Sequence, residues 1–119
     1  VTAGVNWARS VIESRDVATG AAHVAQAARR GLLGALMFSS VGDRESALGG
    51  PWRDVHLAPV SIPGAPEGTL LTAELIAETV AAVGPYDGIL GLKINLGPAA
   101  ADPATIVERL LQIADLIPA

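Results

Sequence analysis

The chain has 119 residues, of which 50% are hydrophobic and 17% charged, with a formal net charge of −4. Such a length fits one domain, and so aliphatic a chain can bury a core, which excludes intrinsic disorder. The acidic balance, with a pI near 4.9, excludes the basic footprint of a nucleic-acid binder and a polybasic membrane surface.

The absence of cysteine excludes disulfides and thiolate zinc sites. No uninterrupted apolar run approaches the roughly 18 residues of a membrane span. No signal-peptide pattern opens the chain either. The expectation is a soluble, cytoplasmic protein that binds neither nucleic acid nor membrane. Val1 rather than Met at the start predicts a processed chain or a piece of something longer, so residues 1–119 are read as one partial domain.

In chain order, residues 1–7 (VTAGVNW) read as a first strand, followed by a polar stretch with Arg9, Ser10, Glu13, Arg15 and Asp16. Thr19 then caps a helix over residues 20–30, and Gly31 after Arg29-Arg30 supplies the expected stop, cations on the last carbonyls and then a left-handed glycine. The apolar run at 33–39 (LGALMFS) is a second strand. Residues 40–71 hold nine glycines and prolines and are predicted to be one long irregular loop, which in a compact domain is usually functional. Thr72 caps a helix over 73–83, ended by Gly84-Pro85, and 88–96 (GILGLKINL) is a third strand. Asp102 as cap and Pro103 at the first position open a last helix over 103–117.

This order predicts an α/β chain, a parallel βαβαβα unit, since helical crossovers put neighbouring strands in parallel. Three such strands leave two unpaired edges and an uncovered apolar face. The predicted partner is therefore another chain, either a second copy or a missing N-terminal part, pairing the open edges.

The phrases VNWARSVIESRD, GLLGALMFSSVGD, GGPWRDVHLAP and YDGILGLKINL together resemble the C-terminal three βα units of a xylose-isomerase-like, sugar-phosphate-isomerase type TIM barrel. The branch they most resemble is a bacterial domain of unknown function. The resemblance implies that the three strands are strands six to eight of a (β/α)8 barrel. In the catalytic members it implies a divalent metal held by carboxylates and histidines at the strand ends. The position of the strand-eight Glu is taken by Lys93, the strand-seven His-x-Lys-Asp motif by Met37-Phe38-Ser39-Ser40, and the strand-six Asp and His by Asn6-Trp7. An ammonium repels a cation where a carboxylate would hold it, so no metal and no other cofactor is expected in this segment.

Barrel sites lie at the carboxyl ends of strands and in the loops that follow. On that basis the catalytic candidates are Lys93, Glu13 and His56. The substrate-binding candidates are Asn6, Arg9, Ser39, Arg44, Trp52, Arg53 and Asp54. Arginine forks and a lysine beside hydroxyls suit an anionic or polyhydroxylated ligand, Trp52 could stack on a sugar ring, and Asp54 with His56 could form an acid/base pair. The plainer readings are an ion pair for Lys93, strand-end hydrogen bonding for Asn6 and Arg9, and loop anchoring for Trp52, Asp54 and His56. His23, on a helix among alanines, reads as a surface or interface residue. Ser39-Ser40 lacks a nucleophile elbow, and no glycine pattern has phosphate-loop spacing. The expected function is sugar-isomerase-like binding or turnover of a small carbohydrate or its phosphate. The alternative is a non-catalytic scaffold barrel that has lost the family's metal site.

Overall fold

The computed structural model describes residues 1–118. Its elements are β1 (Ala3–Asn6), α1 (Trp7–Ser14), α2 (Thr19–Arg29), β2 (Leu33–Phe38), α3 (Ala73–Val83), β3 (Ile89–Leu92), a 3-10 turn at Pro98–Ala100 and α4 (Pro103–Ala114). The strands form one open sheet in the order β1-β2-β3, and both neighbouring pairs are parallel. This is the α/β arrangement that the alternation of apolar strands and capped helices predicts. None of the described helices is long and apolar enough to cross a membrane.

Several boundaries differ from those read in the sequence, among them the last helix, which ends at Ala114 rather than residue 117. The first strand stops at Asn6 instead of residue 7, and the stretch taken as polar and irregular is helix α1. Trp7, Ala8 and Val11 form its buried stripe at the i, i+1, i+4 spacing of a helix face, interleaved with the polar residues that hid it. Thr19 is the first residue of α2 rather than its cap, and Ala18 before it makes no side-chain capping bond. The third strand is shorter than 88–96 because its end diverges from β2. Lys93 N still donates to Phe38 O, but Asn95 N donates to His56 O, and Ser40 pairs with Leu57. His56 and Leu57 thus wedge between the two strand ends.

The caps of the later helices match their reading. Thr72 Oγ1 accepts from Leu75 N at 3.1 Å and Asp102 Oδ1 from Thr105 N at 2.9 Å, each satisfying an orphan N–H donor of the first turn. Gly31 has the left-handed φ of 67° that ends the chain's run out of α2.

Strand register separates two faces. One row, Leu36 and Phe38 of β2 with Leu92 of β3, packs on Trp7, Ala8 and Val11 of α1, Val24 of α2 and Ile76 of α3, with Val41 and Leu71 closing the cluster. Burying Trp7 and Phe38 completely supplies the largest hydrophobic terms of this core, on the order of 2–3 kcal/mol for a side chain of that size. A second cluster joins Ile113 of α4 to Ala58 and Ile62. The other row, Gly4-Ala35-Ile89 and Asn6-Met37-Gly91 in register, carries no helix among the described residues, and Ile89 is 65% exposed. The sheet is covered on one side only.

Residues 40–71 carry isolated bridges and no helix or strand. The fully buried Ser40 organises this segment. Its Oγ accepts from Thr69 Oγ1 (2.6 Å), Leu71 N (2.9 Å) and Leu70 N (3.2 Å), so that one hydroxyl ties the end of the loop to its beginning.

Candidate functional site

The three strands end in polar side chains at their carboxyl termini. Asn6 occupies the junction of β1 and α1, where its extended backbone ends the strand and its Oδ1 accepts from Ala8 N at 3.0 Å and Arg9 N at 3.5 Å. The same oxygen accepts from Ser39 Oγ at 3.1 Å, and Ser39 is fully buried. Strand alternation carries the uncovered face of Met37 on to Ser39 and that of Gly91 on to Lys93. Asn6, Ser39 and Lys93 therefore follow one another across the three strand ends. Lys93 is exposed, and no carboxylate among the described residues lies within ion-pair distance of it. The structural ion pair is ruled out within that set, leaving a free ammonium.

The loop wedge brings His56 to the same end through its backbone bond from Asn95 N, at 2.7 Å. His56 Nδ1 lies 3.2 Å from Asp54 Oδ1, out of line for a hydrogen bond, so the ring nitrogen is buried without a partner. Both His56 (φ 59°) and Trp52 (φ 56°) are left-handed, a conformation that costs a non-glycine residue on the order of 1 kcal/mol. The backbone on either side of Asp54 is thus strained. Trp52 packs on the main core cluster with the Arg15 guanidinium 5.8 Å from its ring centroid, and Trp52 N donates to Gly42 O. These contacts make it a loop anchor. Arg44 is committed to Asp43 (3.0 Å) and Glu67 (3.4 Å), and the hydrogen bond and charge of Asp43 raise its pKa above the ordinary arginine value. Arg53 is exposed, with no side-chain partner among the described residues.

Glu13 and Arg9 lie elsewhere. With Gly4, Val5, Asn6, Ser10 and His23 they line a cleft of about 220 Å³ along the outer edge of β1. There His23 Nδ1 sits 2.9 Å from Ser10 Oγ. No hydrogen bond or ion pair among the described residues joins Glu13 to His56 or Lys93. Sequence reasoning missed the His23–Ser10 contact because it crosses from α1 to α2, and α1 was not read as a helix. The signal available was Trp7-Ser10 and Gly20-His23, two i, i+3 pairs on facing helices: a Cβ at Gly20 would collide with the Trp7 ring, so the two helices touch there.

Whether the resembled family's metal fits can be judged from these donors. Among the described residues, no three His, Asp or Glu side chains come together in a metal-holding group. At the strand ends the sheet presents an amide, a hydroxyl and an ammonium, and the loop adds only the His56 ring and the Asp54 carboxylate. They do not fit a divalent cation.

The family described as a domain of unknown function, DUF4862, matches residues 1–109. The chain belongs to this family. Within the curated proteins it is similar to one from Salmonella typhimurium named "Uncharacterized protein STM3670", at 41% identity over 102 residues. That match covers 82% of this chain and 30% of the Salmonella protein, so the chain spans about a third of its relative's length. No solved structure matches it. The DUF4862 match takes in every candidate site residue, from Asn6 to Lys93.

Proposed function

We propose that this DUF4862 chain is the strand six to eight segment of a xylose-isomerase-like (β/α)8 barrel in the cytoplasm. Its uncovered, polar-ended sheet face would bind a small carbohydrate or sugar phosphate. The observation that carries the reading is the row Asn6, Ser39, Lys93 at the carboxyl ends of three adjacent parallel strands, the end at which barrel enzymes hold their ligands. Lys93 supplies a positive charge for a phosphate or carboxylate, while Asn6, its Oδ1 held by the buried Ser39 hydroxyl, would turn its amide N–H groups to sugar hydroxyls. His56, with Asp54 beside it, would be the group that moves a proton between adjacent carbons in an isomerase-like reaction. Asn6 through its free N–H donors, and Arg53 from the loop, complete the contacts.

A second reading, a binding or scaffold barrel without turnover, is favoured by Lys93 itself, which stands where the catalytic members carry a metal-ligating Glu. Calorimetric titration of the full-length protein with aldose and ketose phosphates and the parent sugars tests the first step. Binding of phosphates that weakens at least about tenfold in Lys93→Met, with unchanged thermal stability, is the expected result. No binding to any member, or equal binding by Lys93→Met, overturns the ligand site. Proton exchange at the sugar C1 or C2 position, followed by NMR, separates an enzyme from a scaffold.

A further inference from the structure

One layer below the strand-end row, the uncovered face of the sheet holds Asn6, Met37 and Gly91 in register across the three strands. Side chains that share a face lie two residues apart along a strand, about 6–7 Å, so Met37 stands beneath Ser39 and Gly91 beneath Lys93. Met37 is half-buried, and its side chain crosses from β2 to β3. A Cβ at Gly91 would meet Met37 Sδ at 2.5 Å and Cε at 2.7 Å, closer than non-bonded atoms can sit. Gly91 has no left-handed φ, so its missing side chain provides room for the thioether and not a turn. The neighbours one layer further down, Gly4 and Ala35, are small as well. Of the three residues in its own layer Met37 alone is long and apolar, laid over a glycine with the Asn6 amide in the same layer and Lys93 in the layer above.

We propose that Met37 is the floor of the ligand site and selects a ligand with an apolar face, a sugar phosphate closed into a ring in preference to an open-chain or inorganic phosphate. The inference rests on the strand-end reading of the site and names the form of ligand it takes. A sugar ring turns C–H groups to its face and hydroxyls to its edge. A thioether is unbranched and polarisable, with no donor and only a weak acceptor, so it offers contact to the C–H face and little to a hydroxyl. The groups around it supply the polar half of the match: the Asn6 N–H groups for edge hydroxyls and the Lys93 ammonium for the phosphate. Inorganic phosphate has the charge for Lys93 and no apolar face for Met37. Lys93 thus sets whether an anion binds, and Met37 sets which one.

Calorimetric titration of the full-length protein with a hexopyranose phosphate, glycerol phosphate and inorganic phosphate tests it, in the parent, Met37→Ala and Gly91→Ala. In the parent the ring phosphate should bind at least about tenfold tighter than the other two, the worth of roughly two methylene groups withdrawn from water. Met37→Ala should erase most of that ratio and leave binding of inorganic phosphate unchanged. Gly91→Ala, which displaces the thioether without removing it, should shrink the ratio too. A ratio near one in the parent, or a ratio that survives Met37→Ala, refutes the floor and leaves the anion site at Lys93 standing. No binding of any of the three phosphates overturns the anion site and the floor with it. A second measurement uses the parent protein labelled at its methionine methyl groups, with the Met37 resonance identified by its absence from Met37→Leu. Ring phosphate should shift that resonance and inorganic phosphate should not. An unmoved resonance at saturating ring phosphate, or an equal shift with inorganic phosphate, refutes the floor even where the Ala variants fail to fold.

Discussion

Replacing Asn6 with Ala should cost more than an ordinary helix cap, because one oxygen serves two purposes. Asn6 Oδ1 closes the first turn of α1 through Ala8 N and Arg9 N, and it also receives the hydroxyl of Ser39. Loss of the cap costs about 1 kcal/mol. The Ser39 hydroxyl, fully buried, would then lack its partner, at about 1–3 kcal/mol. The combined loss of roughly 2–4 kcal/mol corresponds to a fall in Tm of roughly 8–16 °C for a chain of this length. Urea unfolding followed by tryptophan fluorescence measures it, since Trp7 adjoins the cap and is buried. Asn6→Asp keeps the acceptor and adds a charge favourable at a helix N-terminus, so it should stay within about 0.5 kcal/mol of the parent. Ser39→Ala placed on top of Asn6→Ala should recover part of the loss, because the stranded hydroxyl is gone. An Asn6→Ala protein within about 0.5 kcal/mol of the parent, or an Asp variant as damaged as the Ala variant, would refute the dual role.

Gly20→Ala, which in most helix interiors gains up to about 1 kcal/mol, should here destabilise by about 1–3 kcal/mol, because its Cβ would meet the Trp7 ring; an unchanged urea midpoint would contradict the packing of α1 on α2. Ser40→Ala should cost about 2–3 kcal/mol by stranding the buried Leu71 N–H, and it should speed limited proteolysis within 60–68 before global unfolding; a cleavage rate equal to the parent's would show that the loop is held by other means. Asp102 is held below its ordinary pKa by the hydroxyl and backbone N–H of Thr105. A depressed carboxylate contributes its stability above its unfolded value and loses it as pH falls through the lower folded one. Far-UV circular dichroism should therefore show α4 fraying on acidification below the usual aspartate range, less so in Asp102→Asn, which caps at every pH; identical acid profiles would argue against the cap.

Legibility in the sequence followed the range of the interaction. The caps at Thr72 and Asp102 and the stop at Gly31 use groups within four residues of each other, so local chemistry announced them. The parallel sheet followed from crossovers, which strand and helix lengths encode. Helix α1 was lost because its stripe of Trp7, Ala8 and Val11 is short and the remaining positions, Arg9, Ser10, Glu13 and Ser14, look like a loop. The end of β3 was lost for a different reason: His56 and Leu57, some 37 residues upstream of the strand they displace, compete for the backbone groups of Ser40 and Asn95. For the candidate site, the ends of parallel strands were readable, and they put Asn6, Ser39 and Lys93 at one end of the sheet. Glu13 was grouped with them only because α1 was taken for a loop.

The character of the strand-end row limits what it can hold. An exposed ammonium with no ion-pair partner among the described residues puts a positive charge at the sheet's own strand ends, and its local attraction is for anions. Lys93 contributes this charge at little cost to folding, because it is solvated rather than buried. The strained loop adds a different kind of group: His56 and Asp54 are placed by backbone bonds from Asn95 and by the Leu57–Ser40 pairing, not by the sheet itself. On the proposed reading, anion binding would depend on the strand ends and proton transfer on a loop whose closure runs through the Ser40 hydroxyl. Loosening that hydroxyl network should impair turnover before binding, whereas removing the charge of Lys93 should impair binding first. Binding through Lys93 does not require the left-handed backbone at Trp52 and His56, so within the proposed reading that loop, with the carboxylate of Asp54 between the two positions, is where a chemical task beyond binding would reside.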